Sequence, residues 1–149
     1  LGKKVLIDRI RKHPLARAVR ADKTCLAGIT ATLIHYLKDE AQSEIPIWRM
    51  MSLTLEQVKV RAEAWQNALE QGQVVQSEST VGGGSLPEEA ISTYVLSLNV
   101  KSPDKFSKKL REGNPPIIAR TENDKILLDP RTVLDDELLL KGLRAALKL

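Results

Sequence analysis

The sequence predicts an α+β fold, an antiparallel sheet covered by helices and preceded by a long linking helix. Three observations predict it. Apolar residues recur at helical spacing in three stretches before Gly72. Between Val74 and Val100 the pattern alternates residue by residue, as strands do. Beyond Ser102 come a short helical pattern, a hairpin pattern and a last amphipathic helix, so the order reads α-α-α-β-β-α-β-β-α.

Residues 3–12 form the first helix, with Leu6 and Ile10 one turn apart. His13-Pro14 stops it, because the residue before proline avoids the helical region. The second helix runs from Asp22 to Lys38. Leu26, Ile29, Leu33, Ile34 and Leu37 line it as an apolar spine for other elements to pack against. Residues 39–53 read as a connection containing Ile45-Pro46-Ile47-Trp48. Thr54 and Gln57 make a capping box that opens the third helix. Leu55, Val58, Ala62, Trp65 and Leu69 share one of its faces, and Gly72 is the expected stop.

Val74–Val81 reads as a strand leading into Gly82-Gly83-Gly84-Ser85. Tyr94, Leu96, Leu98 and Val100 alternate with Thr93, Val95, Ser97 and Asn99, which predicts a half-buried strand. Ser102-Pro103 opens a short helix carrying Phe106 and Leu110, and Gly113 ends it. Ile117–Arg120 and Lys125–Asp129 form a hairpin around Glu122-Asn123-Asp124. Asp135 starts the last helix, with Leu139, Leu143, Ala146 and Leu147 on its apolar face. The chain divides into a basic segment and linking helix, residues 1–40, and a small α+β domain, residues 41–149.

The 149 residues are 42% hydrophobic and 28% charged, enough to bury a core and too apolar for disorder throughout. No run is long enough to span a bilayer, and LGKKVLIDRI carries charge where a secretion signal would be apolar. One cysteine, Cys25, excludes an intrachain disulfide and fits a reducing, cytoplasmic setting. The chain opens on Leu1 and a basic amphipathic segment, which predicts a piece of a longer protein.

The net charge of +4 is uneven. Residues 1–23 hold eight basic and two acidic residues, a net +6, and the other 126 hold 15 basic and 17 acidic, a net −2. Such a segment attracts phosphates or nucleic-acid backbones, although a run of charge is also how a solvated helix face looks. Aromatics are few, which speaks against a surface built on stacked bases.

Arg17 and Arg20 stand three apart, so a helix there presents both guanidiniums on one side, suited to a phosphate-like anion. The plain alternatives are solubility or an ion pair with Asp22. Gly82-Gly83-Gly84-Ser85 offers backbone amides to an anion but lacks the lysine of a P-loop, and a bent connection explains it equally. His13, before Pro14, is a loop candidate, whereas His35 sits beside the apolar spine. Cys25 reads as a core thiol. Arg120 closes an apolar strand and is a secondary candidate for an anion such as a carboxylate. No metal motif, nucleophile constellation or other catalytic centre is visible.

The segment Lys12-His13-Pro14-Leu15-Ala16-Arg17-Ala18-Val19-Arg20-Ala21-Asp22-Lys23 resembles bacterial selenocysteine synthases, the L-seryl-tRNA(Sec) selenium transferases. The likeness continues through Ala31-Thr32-Leu33, Ile45-Pro46-Ile47-Trp48-Arg49-Met50-Met51 and Val81-Gly82-Gly83-Gly84-Ser85-Leu86-Pro87. It runs on through Gly113-Asn114-Pro115-Pro116-Ile117-Ile118-Ala119-Arg120 and Leu127-Leu128-Asp129-Pro130-Arg131-Thr132-Val133. Residues 71–76 and the final helix are similar only generically.

The resemblance implies the small C-terminal domain of a fold-type I pyridoxal phosphate (PLP) enzyme, with the cofactor lysine and the tRNA-binding domain outside this chain. PLP is then expected in the full-length protein and not covalently bound to this part. Implied partners are seryl-tRNA(Sec), selenophosphate and further copies of the protein, with no membrane. The implied chemistry replaces the seryl hydroxyl by selenium through a dehydroalanyl group. Arg17 and Arg20 match the family's two arginines near the donor's anionic group, with His13 and Arg120 secondary. Two other classes stay open: a related PLP-dependent lyase acting on a small amino acid or amino sugar acid, and a free-standing basic module that binds anions or RNA.

Overall fold

The computed structural model describes residues 2–80 and 90–148. The glycine loop Gly82–Gly84, the end of the expected strand at Val81 and the acidic pair Glu88-Glu89 lie outside the described residues. The chain forms two compact units, residues 1–48 and 49–149.

In the first unit, α1 (Lys4–Lys12) ends at His13 as expected, and a single turn, α2 (Leu15–Ala18), follows Pro14. The spine helix α3 (Lys23–Leu37) starts at Asp22, whose carboxylate accepts from the Cys25 N–H at 2.8 Å. The expected connection 39–53 proves largely helical: α4 (Ala41–Glu44) and then α5 (Pro46–Ser52). Pro46 is its first residue, where a proline's missing N–H costs nothing. The Trp48 indole donates to the Tyr36 hydroxyl at 2.5 Å.

None of α1 to α4 buries a residue. Leu26, Ile29 and Leu33 are each more than half exposed. The apolar stripe of the spine is therefore exposed among the described residues. Cys25 is exposed and not a core thiol; it sits in the first turn of a helix with no covered face.

The second unit holds the core. In α6 (Leu55–Leu69) the capping box forms in full: the Gln57 N–H donates to the Thr54 hydroxyl, and the Thr54 N–H to the Gln57 side chain. Its buried residues Val58, Ala62, Trp65 and Leu69 are four of the five on the predicted face; Leu55, in the first turn, is exposed. The helix stops earlier than Gly72, at Glu70, which takes the left-handed conformation at φ 51°. Gly72 instead leads into β1 (Gln73–Thr80) at φ 90°. A Cβ there would lie 2.8 Å from side-chain carbons of Leu96 and Leu98, so only glycine fits.

The sheet is antiparallel throughout, in the order β1–β2–β4–β3. Its members after β1 are β2 (Ala90–Asn99), β3 (Arg120–Glu122) and β4 (Lys125–Leu128). The α+β expectation holds. The half-buried reading of β2 does not: Thr93, Val95 and Ser97 are buried along with Leu96 and Leu98, so both faces of this central strand are covered, Thr93 donating to the Asp129 carboxylate.

The hairpin turn is Asn123-Asp124, both at positive φ, the geometry that matches strand twist. Its first strand starts at Arg120, where the sequence pattern had it end. Ile117 is 7% exposed and belongs to the core instead of a strand. Trp65, Leu69, Leu96, Leu98, Ile126 and Leu128 meet Leu110 of α7 (Pro103–Arg111) and Leu139 and Leu143 of α8 (Asp136–Leu147). Burying Trp65 alone is worth roughly 4–6 kcal/mol of transfer free energy. No helix among the described residues is long and apolar enough to cross a membrane.

Candidate functional site

The basic segment is a chain of caps. The His13 carbonyl accepts from the Ala16 N–H at 2.9 Å, and the His13 Nδ1 accepts from the Leu15 N–H at 3.3 Å. His13 thus starts the α2 turn and lines an open groove of about 570 Å³ with Leu6, Ile10, Leu15 and Val19. Arg17 lies in that turn, and Arg20 lies after it in the short non-helical link to Asp22. The shared helical face expected from their spacing is therefore absent. One helical turn ends between them, since α2 stops at Ala18.

Both arginines are exposed, and neither forms an ion pair among the described residues. The Asp22 carboxylate turns to its own helix start, so it is not taken up by Arg20. One permanently charged guanidinium on the turn and one just after it are thus open to an anion from outside.

The Cys25 backbone N–H holds the Asp22 carboxyl below its ordinary 3.8. A hydrogen bond from the His35 imidazole, 2.9 Å away, holds Glu40 below its ordinary 4.5. A depressed folded-state value means stabilisation that is present above the ordinary pKa and lost as pH falls through the folded one. We expect the start of α3 to loosen on acidification below about pH 3.8. Circular dichroism checks this: Asp22→Asn, which still caps, should remove that acid step while the helix signal at neutral pH is kept.

Arg120 is committed locally. It reaches from β3 towards β1, donating to the Glu78 carbonyl at 3.0 Å and to the Ser77 hydroxyl at 2.7 Å, with the Glu122 carboxylate 3.6 Å away. Its side chain is still 43% exposed. Arg120 belongs to the second unit and Arg17, Arg20 and His13 to the first.

Sequence reasoning passed over two arginines that organise the second unit. Arg131 is 4% exposed, and its guanidinium donates to the carbonyls of Met50, Leu53 and Ser92 at 2.8–3.0 Å. Arg61 clasps Asp136 and donates to the carbonyls of Pro130 and Val133 at 2.8 and 2.9 Å. Asp129 accepts from Thr93, Ser79 and the Arg131 backbone N–H. The available signal was Asp129-Pro130, a turn starter directly after a strand.

Among the described residues no three His, Cys, Asp or Glu stand together as a metal site. The lysines do not fit PLP as a covalently held group. Among the described residues all are exposed except Lys59, which is half-buried over the Tyr94 ring at 5.7 Å.

Comparison with known proteins adds a family. Residues 1–134 match the family model described as L-seryl-tRNA selenium transferase. A protein of Carboxydothermus hydrogenoformans named L-seryl-tRNA(Sec) selenium transferase is 37% identical over 145 residues, covering 92% of this chain and 31% of its own length. Proteins of that name from Clostridium perfringens and Solidesulfovibrio magneticus are 40% and 38% identical, covering 92% and 94% of this chain. In both, the chain spans 32% of the relative's length. With residues 1–134 of its 149 matched by the family model, the chain belongs to the L-seryl-tRNA selenium transferase family.

Proposed function

We propose that this chain is the C-terminal part of a PLP-dependent transferase that converts seryl-tRNA(Sec) to selenocysteinyl-tRNA(Sec), with selenophosphate as donor. The observation that carries the reading is the pair Arg17 and Arg20: exposed, without a carboxylate partner among the described residues, and inside the matched family segment. Their role is to hold the donor's phosphate. A guanidinium that never loses its charge binds such an oxyanion and moves no proton. His13 shapes the turn that carries Arg17, and Arg120 is a secondary anion contact.

Residues 1–40 are the link out of a larger domain, and residues 41–149 are the small domain of a fold-type I enzyme. PLP, which acts as an electron sink for amino-acid chemistry, is held by the part of the protein outside this chain. The open apolar face of α3 fits a surface that the rest of the polypeptide covers. The full protein works in the cytoplasm as a homo-oligomer.

The direct test gives the purified full-length protein seryl-tRNA(Sec) and radiolabelled selenophosphate. Label appearing in aminoacyl-tRNA is the expected result. Turnover of a free amino acid or amino sugar acid, with seryl-tRNA left unchanged, would replace this reading by the lyase.

A further inference from the structure

The summed charge outside residues 1–23 hides a segregation. The second unit, 49–149, holds 14 basic and 14 acidic residues. Residues 101–120 hold six basic and only two acidic, a net +4, which leaves −4 on the rest of the unit. Four of the basic residues lie on α7, where Lys105, Lys108 and Lys109 recur at one-turn spacing and share a side.

The fold puts that side over a groove of about 540 Å³ between α7 and α8. On the α8 side its lining is Gly142, Ala145 and Ala146, so no side chain longer than a methyl rises there. At Gly142 a Cβ would lie 2.7 Å from the Ile117 Cδ1, so a larger residue there would have to displace the end of that side chain. Lys109 is taken up by the fold, donating to the Ala146 carbonyl at 2.5 Å near the C-terminal end of α8. Lys108 has only a loose pair, with Glu112 at 3.8 Å, and its side chain stays 69% exposed. Lys105 is exposed and forms no ion pair among the described residues.

We propose that Lys105 and Lys108, on the rim of the α7–α8 groove, bind the phosphate backbone of a structured RNA. The chemistry is charge complementarity without base reading. Lysine heads on long stems reach phosphates as point charges, and a shallow floor of small residues lets a bulky backbone approach. The low aromatic content of the chain, five residues in all, suits a contact that stacks no bases. Only the choice of RNA as the polyanion rests on the function proposed above.

The experiment measures binding of transcribed tRNA(Sec) to the full-length protein across a salt series, for wild type, the Lys105→Gln/Lys108→Gln double variant and the Lys105→Arg/Lys108→Arg variant. The glutamine variant should bind several-fold or more weakly, with a log Kd against log salt slope reduced by about two. The arginine variant should restore both. Unchanged affinity and slope in the glutamine variant overturns the proposal, as does a loss that the arginine variant fails to restore. Binding of the wild type to phosphatidylserine vesicles through these lysines, with tRNA binding unaffected, also overturns it. Selenium transfer at saturating tRNA reports separately on the function. Normal transfer with unchanged RNA binding sinks this inference alone, and absent transfer with lysine-dependent RNA binding sinks the transferase reading alone.

Discussion

Replacing Arg17 or Arg20 by alanine in the full-length protein is expected to cut selenium transfer about 100-fold or more, while PLP binding survives. The size is that of removing one charged donor which, in the proposed role, faces the reacting anion. The direction follows from the structure: both guanidiniums are exposed, and Asp22, two residues after Arg20, is spent on capping α3. Lysine at either position should recover little, because a point charge lacks the planar two-pronged geometry that fits an oxyanion. Steady-state turnover against selenophosphate concentration checks this, with the PLP absorbance as the control for an intact cofactor site. Wild-type turnover in either alanine variant at saturating donor would sink the assignment.

Arg131→Ala should be the most damaging single change in the second unit. The guanidinium is nearly fully buried and satisfies three carbonyls, two of which, Met50 and Leu53, lie at the end of α5 where helical acceptors lose their partners. Removing it leaves three dry acceptors at roughly 1–3 kcal/mol each, so a loss of about 3–5 kcal/mol is expected. Arg131→Lys should lose nearly as much, since one ammonium cannot serve carbonyls on both sides of a planar fork. Urea unfolding followed by tryptophan fluorescence reads the difference. A loss under about 1 kcal/mol would show that α5 is held by other contacts.

Much of the fold was legible because it is written locally. The Thr54/Gln57 box, the helix starts at Asp22 and Asp135 and the proline stop at His13-Pro14 each involve residues within one turn of the chain, and each formed. Misread elements depended on distant partners. Residues 39–53 looked like a connection because their short helices carry no long apolar stripe; α5 is held by an arginine some eighty residues away. Strand β2 looked one-sided because alternation cannot reveal that both its neighbours and both its faces would be filled. Cys25 and the α3 stripe looked like core because apolar spacing says which face wants cover and not what supplies it.

The candidate site divides the same way. Local pattern alone carried the α+β class, the helix starts, the basic segment with Arg17 and Arg20, and the family resemblance. These rest on neighbouring residues and on motifs in order. The folded chain adds that a helix ends between the two arginines, that Arg120 is tied to β1 and that Arg131 is a buried clamp. It also gathered the lysines of α7 over a floor of small residues on α8. Such facts depend on which carbonyls, carboxylates and surfaces meet across tens of residues. Hydrogen bonding and charge act through space, and spacing along the chain carries no record of them.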